Sequence, residues 1–321
     1  MNRQLISIVV PVYNEEANLE KFYTSVCAVM SVQPYRWELL FIDDGSTDNS
    51  RTLLNKIARD HRVKPIFLAR NYGHQIALTC GLDHADGDAV ITMDGDMQHP
   101  PQLLPTLLRR WEQGYEIVQT IRLATEDAGL LKRTTSAAFY WFLNKISDTP
   151  LQPGSSDFRL LDHQVVLALR QYHERDRFLR GLVNSLGYKK TVIYFKAPPR
   201  FAGISKFTPR KMLNLAMAGV LTSSILPLRL GFYAGGLAFI AGLLVLGLYA
   251  TGLTAALGLT GTVLLTALCW LGGMQMILTG FIGEYLGRTY LEARHRPLYH
   301  IEPPVLQQDR NLFPRSKAAG A

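Results

Sequence analysis

The sequence predicts a doubly wound α/β domain followed by two long apolar helices. Three observations predict it. Short β-branched runs alternate with helix-period segments from residue 5 to residue 120. Turns rich in Asp, Gly and Ser close several of those runs. Between residues 230 and 283 there is no Asp, Glu, Lys or Arg.

The elements follow in order. Residues 5–10 form a continuous apolar run ended by Pro11, the pattern of a strand buried on both faces. Residues 18–30 place Leu19, Phe22, Val26 and Val29 at helical spacing. A second strand, 37–42, stops at Asp43-Asp44-Gly45-Ser46, and a helix over 46–59 starts near Ser46 or Thr47. Strand 65–68, helix 75–85, strand 89–93, helix 103–113 and strand 116–120 continue the alternation. In such folds ligands bind beyond the carboxyl ends of the strands, and the polar clusters after strands one, two and four all fall there. Gly-x-Gly-x-x-Gly and Walker-type loops are absent from the sequence.

Beyond this domain, 207–229 mixes apolar residues with Arg210 and Lys211 and reads as an interfacial helix. A membrane span needs about 20 apolar residues, so 230–253 and 260–286 read as two spans joined by 254–259. The net charge is +8, with basic residues clustered beside these spans: Arg200, Lys206, Arg210, Lys211 and Arg229 before, Arg288, Arg294 and Arg296 after. This puts both flanks on the cytoplasmic side and argues against nucleic acid as the partner. After Arg296 the Pro-rich tail reads as loosely ordered. Cys27, Cys80 and Cys269 form neither a disulfide framework nor a zinc motif. The first strand starts almost at once, so no signal peptide is expected.

Asp94-Gly95-Asp96 is the sharpest chemical feature. Two carboxylates one residue apart on a strand-end turn can share a hard divalent cation, which completes its shell with substrate phosphates. Alone the pair is a weak signal, because acidic turns are common. Its position on the same sheet edge as Asp43-Asp44 strengthens it.

Four motifs in order resemble the family-two glycosyltransferases of the GT-A fold: Pro11-Val12-Tyr13-Asn14-Glu15-Glu16, Asp43-Asp44-Gly45-Ser46-Thr47-Asp48, Arg70-Asn71-Tyr72-Gly73 and Asp94-Gly95-Asp96-Met97-Gln98-His99-Pro100. Later segments narrow the resemblance to polyprenyl-phosphate glycosyltransferases, the group of dolichol-phosphate mannose synthase and the bacterial bactoprenol glucosyltransferases. These are Asp157-Phe158-Arg159-Leu160, Glu174-Arg175-Asp176-Arg177-Phe178, the loop from Arg200 through Ser205 and Lys206 to Phe207, and Gly283-Glu284-Tyr285-Leu286-Gly287-Arg288. Gly95 stands where Ala is common, and Met97-Gln98-His99 where Leu-Gln-Asp or Leu-Gln-Asn is common.

The resemblance implies a GT-A nucleotide-sugar-binding domain over 1–206, juxtamembrane amphipathic helices over 207–229, two transmembrane helices within 230–286 and a cytoplasmic tail over 287–321. It implies inverting transfer of a hexose to undecaprenyl phosphate for cell-envelope glycan or lipopolysaccharide modification. Glucose from UDP-glucose is expected first, with UDP-N-acetylglucosamine, an aminoarabinose derivative or GDP-mannose as alternatives. Pro11, Tyr13, Asn14 and Glu15 border base and ribose, and Asp43 or Asp44 contacts the base. Asp94, Asp96 and Gln98 hold Mg²⁺ or Mn²⁺ and the diphosphate beside Gly95. Arg122, Lys132, Arg133, Arg200, Ser205 and Lys206 face phosphate or acceptor. Asp157 is a base or an acceptor-orienting carboxylate. Arg175, Arg177 and Arg180 read instead as surface or interface charges. The implied location is the bacterial inner membrane, multi-pass, with both termini cytoplasmic. The implied partners are a homo-oligomer such as a tetramer, a flippase and a second glycosyltransferase. A polysaccharide synthase would carry Gln-x-x-Arg-Trp and more spans, and a non-catalytic scaffold would not need the intact acidic pair.

Overall fold

The computed structural model describes residues 4–123, 154–175, 177–196, 198, 233, 240 and 260–303. The elements are β1 (Leu5–Val12), α1 (Glu16–Met30), β2 (Arg36–Asp43), α2 (Ser50–Ile57), β3 (Val63–Phe67), α3 (His74–His84), β4 (Ala89–Thr92), α4 (Leu104–Glu112), β5 (Ile117–Arg122), β6 (Ser155–Asp162), α5 (His163–Arg170), α6 (Leu179–Ser185), β7 (Lys190–Phe195) and α7 (Thr260–Ala293).

The seven strands form one sheet in the order β3-β2-β1-β4-β6-β5-β7. β1 pairs parallel with β2 and β4, and β2 with β3. β1 is central, so Ile6, Ile8, Val9 and Val10 have no solvent exposure, which is why its sequence runs apolar without alternation. Leu19, Phe22, Val26 and Met30 of α1 cover one face, while Leu78 and Leu82 of α3 belong to the core on the other.

Two strands escaped the sequence reading. β6 runs antiparallel between β4 and β5, and β7 adds parallel beyond β5. β6 carries Asp157 and Arg159 inside a buried strand. Three charged residues in eight, Asp157, Arg159 and Asp162, disguise a strand until the pairing of the first two is known. The sheet is therefore mixed, not wholly parallel. α2 begins at Ser50 and not at Ser46, because Ser46 and Thr47 bind the loop after β1.

The expected multi-pass location is not carried by the structure. Among the described residues no helix is long and apolar enough to cross a membrane. The expected span 260–286 lies in α7, a 34-residue helix in which that stretch contains Gln275, Glu284 and the glycines Gly261, Gly272, Gly273, Gly280 and Gly283. These small and polar residues dilute its apolar run. The expected span 230–253 lies outside the described residues except for Tyr233 and Ile240, as do the stretch 207–229 and the link 254–259.

The loosely ordered tail is also corrected for its first residues. Ile301 forms an antiparallel bridge with Leu68, just past the edge strand β3. Tyr299 and Glu302 are held by side-chain bonds to Asp83 and Arg51.

Candidate functional site

The loops after β1, β2 and β3 are stitched together at the carboxyl edge of the sheet. Asn14, in left-handed conformation at φ 53°, donates its backbone N–H to Ser46 Oγ at 3.0 Å and accepts from the Thr47 N–H at 2.8 Å. The Glu15 N–H donates to Ser50 Oγ at 3.0 Å. Gly45 has φ +69°, and a Cβ there would sit 2.6 Å from the Arg70 carbonyl carbon. Glycine is therefore required for the second motif to lie against the third. Asp44 completes the join by accepting from the Tyr72 and Gly73 N–H groups at 2.7 and 2.9 Å.

The two aspartates of the second motif are nearly sealed. Burial pushes Asp43 up to about 6, against the Ser46 contacts and the Arg51 charge that favour its ionised form. Burial likewise raises Asp44, partly offset by its backbone donors. Pro11 and Tyr13, at the end of β1, are only partly buried.

The turn after β4 is built differently. The Asp94 N–H donates to His99 Nδ1 at 2.8 Å. That nitrogen is consequently unprotonated, and Nε2 carries the proton toward Ser156 Oγ at 2.7 Å. His99 stacks on Phe158, with centroids 5.1 Å apart. This imidazole ties the acidic turn to β6, which is the consequence of finding His at that position. Asp96 Oδ1 accepts from the Gln98 N–H at 3.0 Å, and Gln98 Oε1 lies 3.4 Å from an Arg122 guanidinium nitrogen. Gly95 leaves little room: a Cβ would meet Val10 Cγ1 at 3.3 Å.

Asp94 Oδ1 is buried and has no hydrogen-bond partner among the described residues. His74 Nε2 is 3.6 Å away, beyond hydrogen-bond distance. An orphaned carboxylate oxygen fits a cation, since leaving it unmade costs about 1–3 kcal/mol or more. Among the described residues no three His, Cys, Asp or Glu side chains converge as a metal site. Two carboxylates and the Gln98 amide are a sparse oxygen set of the kind Mg²⁺ or Mn²⁺ accepts when substrate phosphate supplies the rest.

Asp157 is the hub beside this turn. Arg180 binds it with two nitrogens at 3.0 and 2.9 Å, and Arg159 at 2.8 Å. His74 Nε2 lies 3.4 Å away and Gln75 donates at 3.3 Å. Burial alone would raise its pKa, yet the His74 imidazole and the Arg180 and Arg159 guanidiniums hold the carboxyl well below the usual range. Burial opposes the charge on His74, but Asp157 and Asp94 prevail and raise it. Burial lowers Arg159 to about 10. Gln75 Oε1 also accepts from the Leu179 N–H at 3.2 Å, which draws α6 and Arg180 onto the site.

The structure thus brings together Pro11, Tyr13, Asn14, Glu15, Asp43, Asp44, Asp94, Gly95, Asp96, Gln98 and Arg122 along one edge, with Asp157 beside Asp94. Lys132, Arg133, Arg200, Ser205 and Lys206 lie outside the described residues. Arg180 is not the surface charge expected from sequence: its partner is the buried Asp157. His74 was missed altogether. The only signal for it was its place directly after the third motif.

The family model for "Glycosyl transferase family 2" matches residues 7–163. A bactoprenol glucosyl transferase of Shigella phage SfV is 38% identical over 308 residues, covering 92% of this chain and 98% of that protein. A prophage bactoprenol glucosyl transferase homolog of Escherichia coli (strain K12) is 39% identical, covering 92% and 98%. An uncharacterized glycosyltransferase of Bacillus subtilis (strain 168) is 37% identical, covering 96% of each. Among solved structures, glucosyl-3-phosphoglycerate synthase from Mycobacterium tuberculosis is a weaker likeness. It is 19% identical, with a TM-score of 0.45 over 68% of this chain and 80% of that one. With matching motifs on one sheet edge and relatives of this identity along nearly their whole length, the chain belongs to glycosyl transferase family 2.

Proposed function

We propose that this protein transfers a hexose from a nucleotide diphosphate sugar to a polyprenyl phosphate, inverting the anomeric carbon. The observation that carries the reading is the buried Asp94 Oδ1, which has no hydrogen bond among the described residues, on a turn shared with Asp96 and Gln98. The names of the relatives, bactoprenol glucosyl transferases, support the acceptor class and favour glucose. UDP-glucose is accordingly the first donor to test.

Asp94, Asp96 and Gln98 would hold the divalent ion, Mg²⁺ or Mn²⁺. When bound, that ion neutralises charge on the departing diphosphate. Pro11 and Tyr13 border the base and ribose from the end of β1. Asp43 is the better candidate for the base contact, because the carboxylate of Asp44 is taken up by two backbone donors. Arg122 would meet phosphate oxygens, a reading supported by its contact with Gln98.

The acceptor phosphate has a second pKa near about 6 and is largely dianionic at neutral pH. It can attack the anomeric carbon without a strong protein base. Asp157 accords with this: a carboxylate gripped by two guanidiniums is a poor base and a good fixed anchor. Its role here is orientation, through Arg180 and His74. The resemblance assigns the acceptor end to Lys132, Arg133, Arg200, Ser205 and Lys206. Purified protein incubated with radiolabelled nucleotide sugars and undecaprenyl phosphate tests the reading. Metal-dependent label in the lipid fraction is expected. Label released only as free sugar, or transfer resistant to chelator, would refute it.

A further inference from the structure

The loop from Leu68 to Gly73 packs against the end of β2, where the donor reading places Asp43, and it is gripped from two sides. On one side is the end of β2. The Leu68 N–H donates to the Asp43 carbonyl at 2.9 Å, Gly45 packs on the Arg70 and Asn71 backbone, and Asp44 accepts from Tyr72 and Gly73. On the other side is a segment more than 220 residues later in the chain. The Ala69 N–H donates to the His300 carbonyl at 2.9 Å, and the Glu302 N–H to the Phe67 carbonyl at 2.8 Å.

Side chains lock this second grip. Glu302 is 2% exposed and pairs with Arg51 of α2. The Arg51 guanidinium lies over the Phe67 ring, 4.5 Å from its centroid. Tyr299 donates to Asp83 Oδ2 at 3.0 Å, and its ring lies against His84. Arg51 is also a cation whose charge favours the ionised form of Asp43. The Arg51 side chain is largely shielded from solvent, and the buried Glu302 carboxylate fixes its position.

We infer that residues 299–302 are a positioning strap for the donor site, acting through the Arg51–Glu302 ion pair and the backbone bonds to Phe67 and Ala69. Glu302 fixes Arg51, and the strap's backbone bonds fix the loop whose Leu68 N–H donates to the Asp43 carbonyl. The inference rests on the donor reading proposed above. It adds a residue far from the four motifs to the determinants of donor affinity.

The test uses the full-length chain, with UDP-glucose and Mg²⁺ as the probe. Calorimetric titration is done well below the unfolding midpoint of every variant, beside steady-state transfer to undecaprenyl phosphate. Glu302→Gln is expected to weaken UDP-glucose binding and raise its KM by about fivefold or more. Acceptor KM, and kcat at saturating donor, should move by less than about twofold. Glu302→Asp should recover part of the loss. Glu302→Gln combined with Arg51→Gln should be no worse than Arg51→Gln alone, because the two residues act as one pair. Arg51→Lys, which keeps the charge without the planar fork, supplies the same comparison if Glu302→Gln does not fold. A lowered unfolding midpoint with unchanged UDP-glucose affinity would make the strap merely structural and overturn the inference. If the wild-type protein binds none of the nucleotide sugars tried, the donor reading fails and the strap inference with it. If the wild type binds and the variants bind equally well, only the strap inference fails.

Discussion

The ends of β2 and β4 carry nearly the same residues and use them in opposite ways. Each offers two aspartates and a glycine: Asp43-Asp44-Gly45 at one, Asp94-Gly95-Asp96 at the other. At β2 the carboxylates turn toward backbone. Asp44 takes two N–H groups of the β3–α3 loop, and Asp43 takes the Ser46 N–H at 3.3 Å. At β4 the backbone of Asp94 is bound by His99, while its carboxylate keeps an oxygen with no partner among the described residues. The first cluster is a knot between loops, and the second leaves a carboxylate oxygen without a hydrogen bond among the described residues. Composition does not distinguish them. What distinguishes them is which neighbouring loop arrives with unsatisfied donors.

The largest expected effect separates chemistry from folding. Asp94→Asn should lower transfer by at least about 100-fold, since it removes charge at the ion and diphosphate. Its unfolding midpoint should stay within about 2 °C of wild type, because that oxygen makes no hydrogen bond among the described residues and lies 3.6 Å from its His74 neighbour. An active Asp94→Asn enzyme would break the comparison at once.

The converse test belongs to β2. Gly45→Ala forces a left-handed residue to carry a Cβ 2.6 Å from the Arg70 backbone. A loss of about 3 kcal/mol or more in urea unfolding is expected, and transfer should fail only as the fold fails. Retention of full stability would show that the two loops can separate without cost.

The pH dependence sharpens the same contrast. Asp43 has its pKa raised to about 6 by burial. Between about pH 4, where the unfolded side chain loses its proton, and pH 6, the folded state holds more protons than the unfolded one. Stability contributed by this group therefore falls as pH rises through that window, by up to about 3 kcal/mol. Asp43→Asn should flatten that part of the profile. An unchanged slope in urea melts across the window would place the titration elsewhere.

The smallest effect is expected at Gly95. Its Cβ would meet only the Val10 side chain at 3.3 Å, and its φ is not in the left-handed region. Gly95→Ala should cost less than about 1 kcal/mol and leave transfer within about threefold of wild type. A cost equal to that of Gly45→Ala would erase the difference between the two turns.

His99 and Asp157 show where sequence reading reached its limit within the site. Each was singled out from the motif order, His99 as a departure and Asp157 as a base or an orienting group. Neither role could be assigned, because each depends on partners at distant positions. His99 acts through Ser156, 57 residues away. Asp157 is held by Arg180, which looked like an ordinary helix-surface charge until its partner was seen. The apolar helix α7 is a similar case. Its composition suggested a span, but helix length and hydropathy are joint properties of the whole element, and among the described residues none reaches the requirement.

The sequence by itself determined the alternation of strand and helix through α4 and β5, the buried character of β1, and the placing of the polar motifs at strand ends. These are encoded locally, by hydrophobic period and turn chemistry within a few residues. Tertiary structure alone shows that β6 enters antiparallel between β4 and β5, that Asp44 ties two loops while Asp94 Oδ1 keeps no hydrogen bond among the described residues, and that Glu302 returns to Arg51 across 251 residues. No local period carries that information. Strand order and hydrogen-bond partners between distant segments are selected together, when burial requires each polar group to find a partner.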